Sequence, residues 1–351
     1  MAPQPHEFVH LVDRFPKVTT DELLAGLAPS PRFQNVSFDT YIPDPSQPSQ
    51  AEAVERLRRF ASEVGGRPAE GGFFGRMFGK KAPKGPTGIY LDGGFGVGKT
   101  HLLASLFHAV QGKAAFGTFV EYTNLVGALS FRKAVEALSQ YSLVCIDEFE
   151  LDDPGDTVLM SRLMRELSDA GVKLAATSNT LPGSLGEGRF AAEDFKREIQ
   201  ALASQFEVLR IDGEDYRHRG LPTPPTPIDD ALLEDPEAHL REDFGTVVAL
   251  DDFDALLAHL NQVHPSRYRQ LIEGVNGVVW RNVTTIESDA TALRLVVLAD
   301  RLYDLDVPVL SSGVPFDRLF TERMLKGGYL KKYYRAISRL TAMARAGGAE
   351  G

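Results

Sequence analysis

The chain has 351 residues, 43% of them hydrophobic and 25% charged, with a formal net charge of −10. That length suits one large domain or two ordinary ones with a real core, and the composition excludes a disordered or fibrous chain. The negative total argues against a surface that coats nucleic acid everywhere, while leaving room for a local basic patch. No apolar run approaches the length of a membrane span; the longest, residues 293–299, is far too short. The first fifteen residues include Glu7 and Asp13 and lack an apolar stretch. No secretory or mitochondrial address is read there, and the expected location is cytoplasmic. The single cysteine, Cys145, stands in an apolar run with no internal partner, which fits a reducing compartment.

Residues 1–30 carry Phe8, Leu11, Val12 and Phe15, then Leu23, Leu24 and Leu27 behind a Thr20-Asp21 cap, a pattern that predicts short amphipathic helices. Pro29-Ser30-Pro31 ends them. Phe33, Val36, Phe38 and Tyr41 are the apolar points of residues 32–42. Residues 50–63 read as a strong helix, with Ala53, Val54, Leu57, Phe60 and Ala61 on one face and Glu52, Glu55, Arg58 and Arg59 on the other. Residues 65–84 read as an exposed loop in which Phe73, Phe74, Met77 and Phe78 alternate with Arg76, Lys80, Lys81 and Lys84. Such a loop suits single-stranded nucleic acid, an anionic lipid or a partner groove. It equally suits an insertion whose aromatics pack on the domain.

From residue 86 strands and helices alternate, the signature of a parallel sheet with helical crossovers. A short strand at 88–91 leads into Gly93-Gly94-Phe95-Gly96-Val97-Gly98-Lys99-Thr100, which matches GxxxxGK[ST], and His101 continues into a helix. Glycines free backbone N–H groups to wrap phosphates, Lys99 reaches the β and γ oxygens, and Thr100 offers a hydroxyl to Mg²⁺ above a helix N-terminus. Residues 93–101 are therefore the expected nucleotide-binding set, with ATP and Mg²⁺ as cofactors. A second strand is expected at 117–122, a helix at 124–138, a third strand at 141–146, a helix at 156–170 and a fourth strand at 172–177. A helix at 194–203 and a fifth strand at 206–211 complete the core. A proline-rich and acidic stretch follows. The remainder predicts strands at 246–250, 277–280 and 307–311, with helices at 251–263, 290–302, 316–320 and 333–345. The implied division is residues 1–219 for N-terminal helices plus the core, 220–245 for a linker, and 246–351 for a C-terminal α/β region.

In such sheets ligands sit beyond the carboxyl ends of the strands. Leu143-Val144-Cys145-Ile146-Asp147-Glu148 is a Walker B pattern. Asp147 is placed to share the Mg²⁺ with Thr100, and Glu148 to polarise the attacking water. Asn179, just past the fourth strand, is placed to read the γ-phosphate. No NKxD guanine motif is present. His218 and His264 lack partners at metal-ligand spacing, and Trp280 reads as core.

Together these elements resemble the AAA+ ATPases, and the chain is similar to their ZapE-type family. The residues that carry the likeness are 93–100, Cys145-Ile146-Asp147-Glu148-Phe149-Glu150, Ala176-Thr177-Ser178-Asn179 and Asp215-Tyr216-Arg217. Arg335-Ala336-Ile337-Ser338-Arg339-Leu340 and Met343 near the end carry it as well. The resemblance implies an α/β P-loop NTPase fold of AAA+ type, a parallel sheet flanked by helices with a C-terminal α/β extension. It implies a homo-oligomeric ring, a hexamer in the family, that hydrolyses ATP at subunit boundaries with an arginine finger given in trans. Relatives carry a Gln-Arg pair before an Arg-Phe-Leu-Pro run. This chain instead has Gly188-Arg189-Phe190-Ala191-Ala192-Glu193-Asp194-Phe195-Lys196-Arg197, so Arg189 is the first choice for the finger and Arg197 the alternative. By the same likeness Arg335 or Arg339 is a sensor-two candidate, and Val36, Ser37, Phe38 and Tyr41 approach the adenine. The partners it implies are proteins of the division machinery, with peripheral membrane association left open. The competing reading is a nucleic-acid-binding AAA+ protein of helicase-loader or replication-initiator type. The acidic total and the lack of a helix-turn-helix module weigh against that.

Overall fold

The computed structural model describes residues 6–64, 87–94, 96–150, 154–182, 185, 196–213, 223–234, 240 and 244–347. The described residues begin with a strand, β1 (Glu7–Val9), and then α1 (Thr20–Ala25) and α2 (Pro48–Glu63). Pro48 sits in the first turn of α2, where a missing N–H costs nothing. The face of α2 bearing Ala53, Val54, Leu57, Phe60 and Ala61 is buried, as the spacing predicts.

The strand–helix alternation then runs β2 (Gly88–Gly93), α3 (Lys99–Ala109), β3 (Ala114–Thr118), α4 (Phe119–Leu129) and α5 (Phe131–Leu138). It continues with β4 (Leu143–Asp147), α6 (Pro154–Asp169), β5 (Lys173–Ser178), α7 (Lys196–Ala203) and β6 (Phe206–Ile211). The last third holds β7 (Val247–Asp252), α8 (Phe253–Leu260), α9 (Tyr268–Leu271) and β8 (Gly277–Val283). It ends with α10 (Asp289–Asp304), β9 (Val309–Gly313) and α11 (Leu330–Ala346).

Two expectations are corrected in the core. The second strand lies earlier than 117–122, because Thr118 and Glu121 form a reciprocal capping box that starts α4 at Phe119. Glu121 N–H donates to Thr118 Oγ1 at 3.3 Å, and Thr118 N–H donates to Glu121 Oε2 at 2.7 Å. The helix expected at 124–138 is two helices, broken at Ser130, whose φ of 72° no helix tolerates.

The chain forms two compact units, residues 20–29 with 33–218 and residues 1–19 with 30–32 and 219–351. In the first, five parallel strands lie in the order β3-β4-β5-β2-β6. Ile89 and Leu91 face the helices α2 and α3, while Tyr90, Val144 and Ile146 face the cluster built by Tyr122, Leu163 and Met164. A sheet covered on both faces explains the near-continuous apolar runs of its strands. The order also sets β5 between the P-loop strand β2 and the acid-bearing strand β4, which brings three strand ends to one place.

The second unit has its own parallel sheet, β1-β7-β8-β9. Here the sequence division is corrected: residues 6–19 do not go with the P-loop core. Glu7, Phe8 and Val9 pair with Val247, Val248 and Ala249, and Leu11 is fully buried in the core that holds Phe253, Trp280 and Leu295. Leu11 N–H and Val12 N–H donate to the Asp251 carboxylate at 3.0 and 3.2 Å. A pairing across some 240 residues leaves no local mark in sequence.

Candidate nucleotide site

The loop between β2 and α3 takes its shape from two glycines. Gly96 and Gly98 have φ of 81° and 84°, the left-handed region that side-chain-bearing residues rarely adopt. A Cβ on Gly98 would also lie 2.6 Å from the Tyr41 ring. Gly98 is the N-cap of α3, so the loop ends where the helix presents its free N–H groups.

Lys99 Nζ donates to the Gly93 and Gly94 carbonyls at 2.8 and 2.5 Å and to Asn179 Oδ1 at 2.7 Å. The structure thus brings Lys99 and Asn179 together from the first turn of α3 and the end of β5. Thr100 Oγ1 donates to Asp147 at 3.1 and 3.2 Å. Asp147 is 7% exposed and also accepts a hydrogen bond from the Thr177 hydroxyl. Glu148 is half-buried, with φ of 53° and its N–H on Thr177 Oγ1 at 3.1 Å. A hydroxyl and a carboxylate at hydrogen-bonding distance, beneath a phosphate-binding loop, are the hard oxygen donors that fit Mg²⁺. Thr100 and Asp147 are the residues that would hold it.

Two further groups went unnoticed in the sequence. Asp92, the last acid of β2, is 8% exposed. Burial pushes its carboxyl above the usual range, and the charges of Arg210 and Lys99 partly offset that. Its signal was an acid inside the otherwise apolar run Ile89-Tyr90-Leu91. Thr177 gave no signal at all. Tyr90 donates its hydroxyl to the Thr180 carbonyl at 2.7 Å, and burial raises its pKa far above the ordinary value. The Cys145 thiol is likewise pushed up by burial.

Residues 37–41 lean on the same loop. Tyr41 OH donates to the Val97 carbonyl at 2.8 Å. His101 Nε2 lies 3.0 Å from Thr40 Oγ1 and 3.2 Å from the Ser37 carbonyl, and its ring meets Tyr41 edge-on at 5.7 Å. Phe38 is buried with the Arg58 guanidinium 5.4 Å from its ring centre, and Val36 is half-buried in the same core.

Phe95, Arg189, His218, Asp215-Tyr216-Arg217 and the basic-aromatic stretch 73–84 lie outside the described residues. Arg197 is exposed on α7. Arg335 and Arg339 belong to α11 in the other unit and both engage Asp300, Arg335 at 2.8 Å. Among the described residues no helix is long and apolar enough to cross a membrane.

A glycine loop capping a helix, a lysine on it and an acid pair two strands away define a P-loop NTPase site on an AAA+-type sheet. Residues 18–242 and 237–347 match the AFG1-like ATPase family, and the chain belongs to it. It is 30% identical over 194 residues to the cell division protein ZapE of Escherichia coli (strain K12), covering 49% of this chain and 52% of that one. To lactation elevated protein 1 homolog B of Danio rerio it is 26% identical over 160 residues, 39% of this chain and 32% of that one. The chain thus spans about half the length, or less, of these curated relatives. Among solved structures, the replication initiator DnaA bound to AMPPCP and single-stranded DNA covers 90% of each chain at 11% identity and a TM-score of 0.39. The DnaC helicase loader covers 52% of this chain and 99% of its own at 18% identity and a TM-score of 0.36.

Proposed function

We propose that this chain is an Mg²⁺-dependent ATP hydrolase that works as a subunit of a ring and remodels protein partners. Its likeness to ZapE supports partners at the division site and a cytoplasmic location. The observation that carries the catalytic reading is the network Lys99–Asn179 and Thr100–Asp147–Thr177, which joins the ends of β2, β5 and β4 at one point.

In this reading the free N–H groups at the start of α3 and the loop backbone receive the phosphates, and Lys99 exchanges its two carbonyls for β and γ oxygens. Thr100 and Asp147 would hold Mg²⁺, which would supply neutralisation of phosphate charge. Glu148 orients the attacking water and accepts its proton, and Asn179 marks the γ-phosphate. Arg189, or Arg197 in its place, serves the neighbouring subunit's site as the finger.

Steady-state phosphate release and binding of a fluorescent ATP analogue test this. Lys99→Ala is expected to lose analogue binding. Glu148→Gln is expected to keep binding and to lose turnover by about 100-fold or more, the scale of general-base loss. Normal turnover in Glu148→Gln would sink the water-activating role. Mixed rings of Arg189→Ala and Glu148→Gln subunits should regain some activity if the finger acts in trans. Affinity capture on the ATP-trapped Glu148→Gln chain then reads out the partner.

A further inference from the structure

We propose that Thr177 is the positioning residue of the water-activating end of the site, fixing Glu148 against Asp147; this rests on the hydrolase reading above. Because β5 lies beside β4, with Ala176 opposite Ile146, Thr177 emerges next to Asp147. It is 2% exposed. Its hydroxyl has one proton and lone pairs to accept with, and the structure uses both kinds. The proton goes to Asp147 Oδ1, and a lone pair receives the Glu148 N–H at 3.1 Å. The Thr177 carbonyl takes the next amide, Phe149 N–H, at 2.7 Å.

These bonds hold a turn that would not hold itself. Glu148 sits at φ 53°, a conformation that a residue with a side chain seldom adopts and that directs its Cβ differently from a continuing strand. Two consecutive amides on Thr177, one on the hydroxyl and one on the carbonyl, over-determine that geometry. The same hydroxyl fixes the carboxylate that would share Mg²⁺ with Thr100. Thr177 therefore couples the metal-holding acid to the water-activating acid without touching nucleotide itself.

Thr177→Val keeps the side chain's shape and removes the hydroxyl, while Thr177→Ser keeps the hydroxyl. Phosphate release from ATP with Mg²⁺ and equilibrium binding of a fluorescent ATP analogue, with and without Mg²⁺, separate the roles. For Thr177→Val the expected fall in kcat is about 10- to 100-fold, the scale of a misplaced catalytic group, with analogue affinity changed less than about 3-fold. Thr177→Ser should stay within about 3-fold of the parent in both. In a Glu148→Gln background Thr177→Val should cost little more, since it acts through a carboxylate already gone.

An active parent with an equally active Thr177→Val chain overturns this proposal alone. So does a loss of affinity in step with kcat that Thr177→Ser shares, because that marks a purely structural threonine. A parent that binds the analogue and releases no phosphate overturns the hydrolase reading first, and this one with it.

Discussion

At the scale of single residues, the loop is held from outside as well as from within. Tyr41 donates to the Val97 carbonyl and lays its ring over Gly98. Burial raises its pKa, so the phenol stays a donor throughout the neutral range. Tyr41→Phe keeps the ring and deletes one hydrogen bond, a net change of about 1 kcal/mol, so ATP-analogue affinity should weaken about five-fold by direct titration. Gly98→Ala should do far worse, since it combines a left-handed φ of 84° with a 2.6 Å contact to that ring. An unchanged affinity in Tyr41→Phe would show that the loop keeps its shape unaided. Lys99 and Thr100 stand out in sequence because a glycine motif runs straight into the helix they open, and Asp147, Glu148 and Asn179 because each lies at or just past the end of an apolar strand. Tyr41 and Thr177 act on groups 56 and about 30 residues away, so their roles exist only once the sheet order is known.

At the scale of elements, α10 and α11 are joined by charge. Asp300 on α10 is 16% exposed and meets both Arg335 and Arg339 of α11, so the terminal Ser-Arg-Leu run does structural work within its own unit. Burial alone would raise the Asp300 carboxyl, and the two guanidinium charges with their hydrogen bonds outweigh it and leave the carboxyl below its usual range. A depressed folded value means the stabilisation is complete above the unfolded carboxyl pKa of about 3.9 and is lost as pH falls through the folded value. Wild-type stability should therefore drop on acidification below about pH 4, and Asp300→Asn should show less of that drop. At neutral pH the same variant removes the carboxylate that both guanidinium groups meet and should cost about 3 kcal/mol or more by urea unfolding. A neutral-pH stability equal to the parent's would mean that the Asp300 charge adds nothing net to the joining of α10 and α11. Periodicity found most helices here, because their apolar stripes are local. It misplaced β3 because Phe119, Val120 and Tyr122 look like a strand until the Thr118–Glu121 cap turns them into a helix.

At the scale of the whole molecule, the chain's first described residues complete the sheet of its last third. The segment adds the edge strand β1, buries Leu11 and gives Asp251 two N–H donors. Arg14 adds hydrogen bonds to the Leu271 and Glu273 carbonyls at 3.0 and 2.9 Å, and its own carbonyl lies 2.9 Å from His259 Nε2. Removing residues 1–16 should therefore lower the stability of the 219–351 unit by about 3 kcal/mol or more, the scale of one large core side chain. Analogue binding should survive, because the loop contacts described above come from residues 37–41, 93–100, 147 and 177–179. Burial already holds the Asp251 carboxyl above its usual range, and the Leu11 and Val12 N–H groups pull it back down. An acid with a raised folded pKa loses stability as pH rises from the unfolded value of about 3.9 toward the folded one, so Asp251→Asn should remove that part of the parent's pH dependence. The truncated chain should show a lower urea midpoint than the parent in titrations followed by Trp280 fluorescence. A synthetic peptide of residues 6–17 should restore part of the difference. If truncation abolished analogue binding and left the Trp280 transition unmoved, the N-terminal segment would belong functionally to the P-loop unit instead.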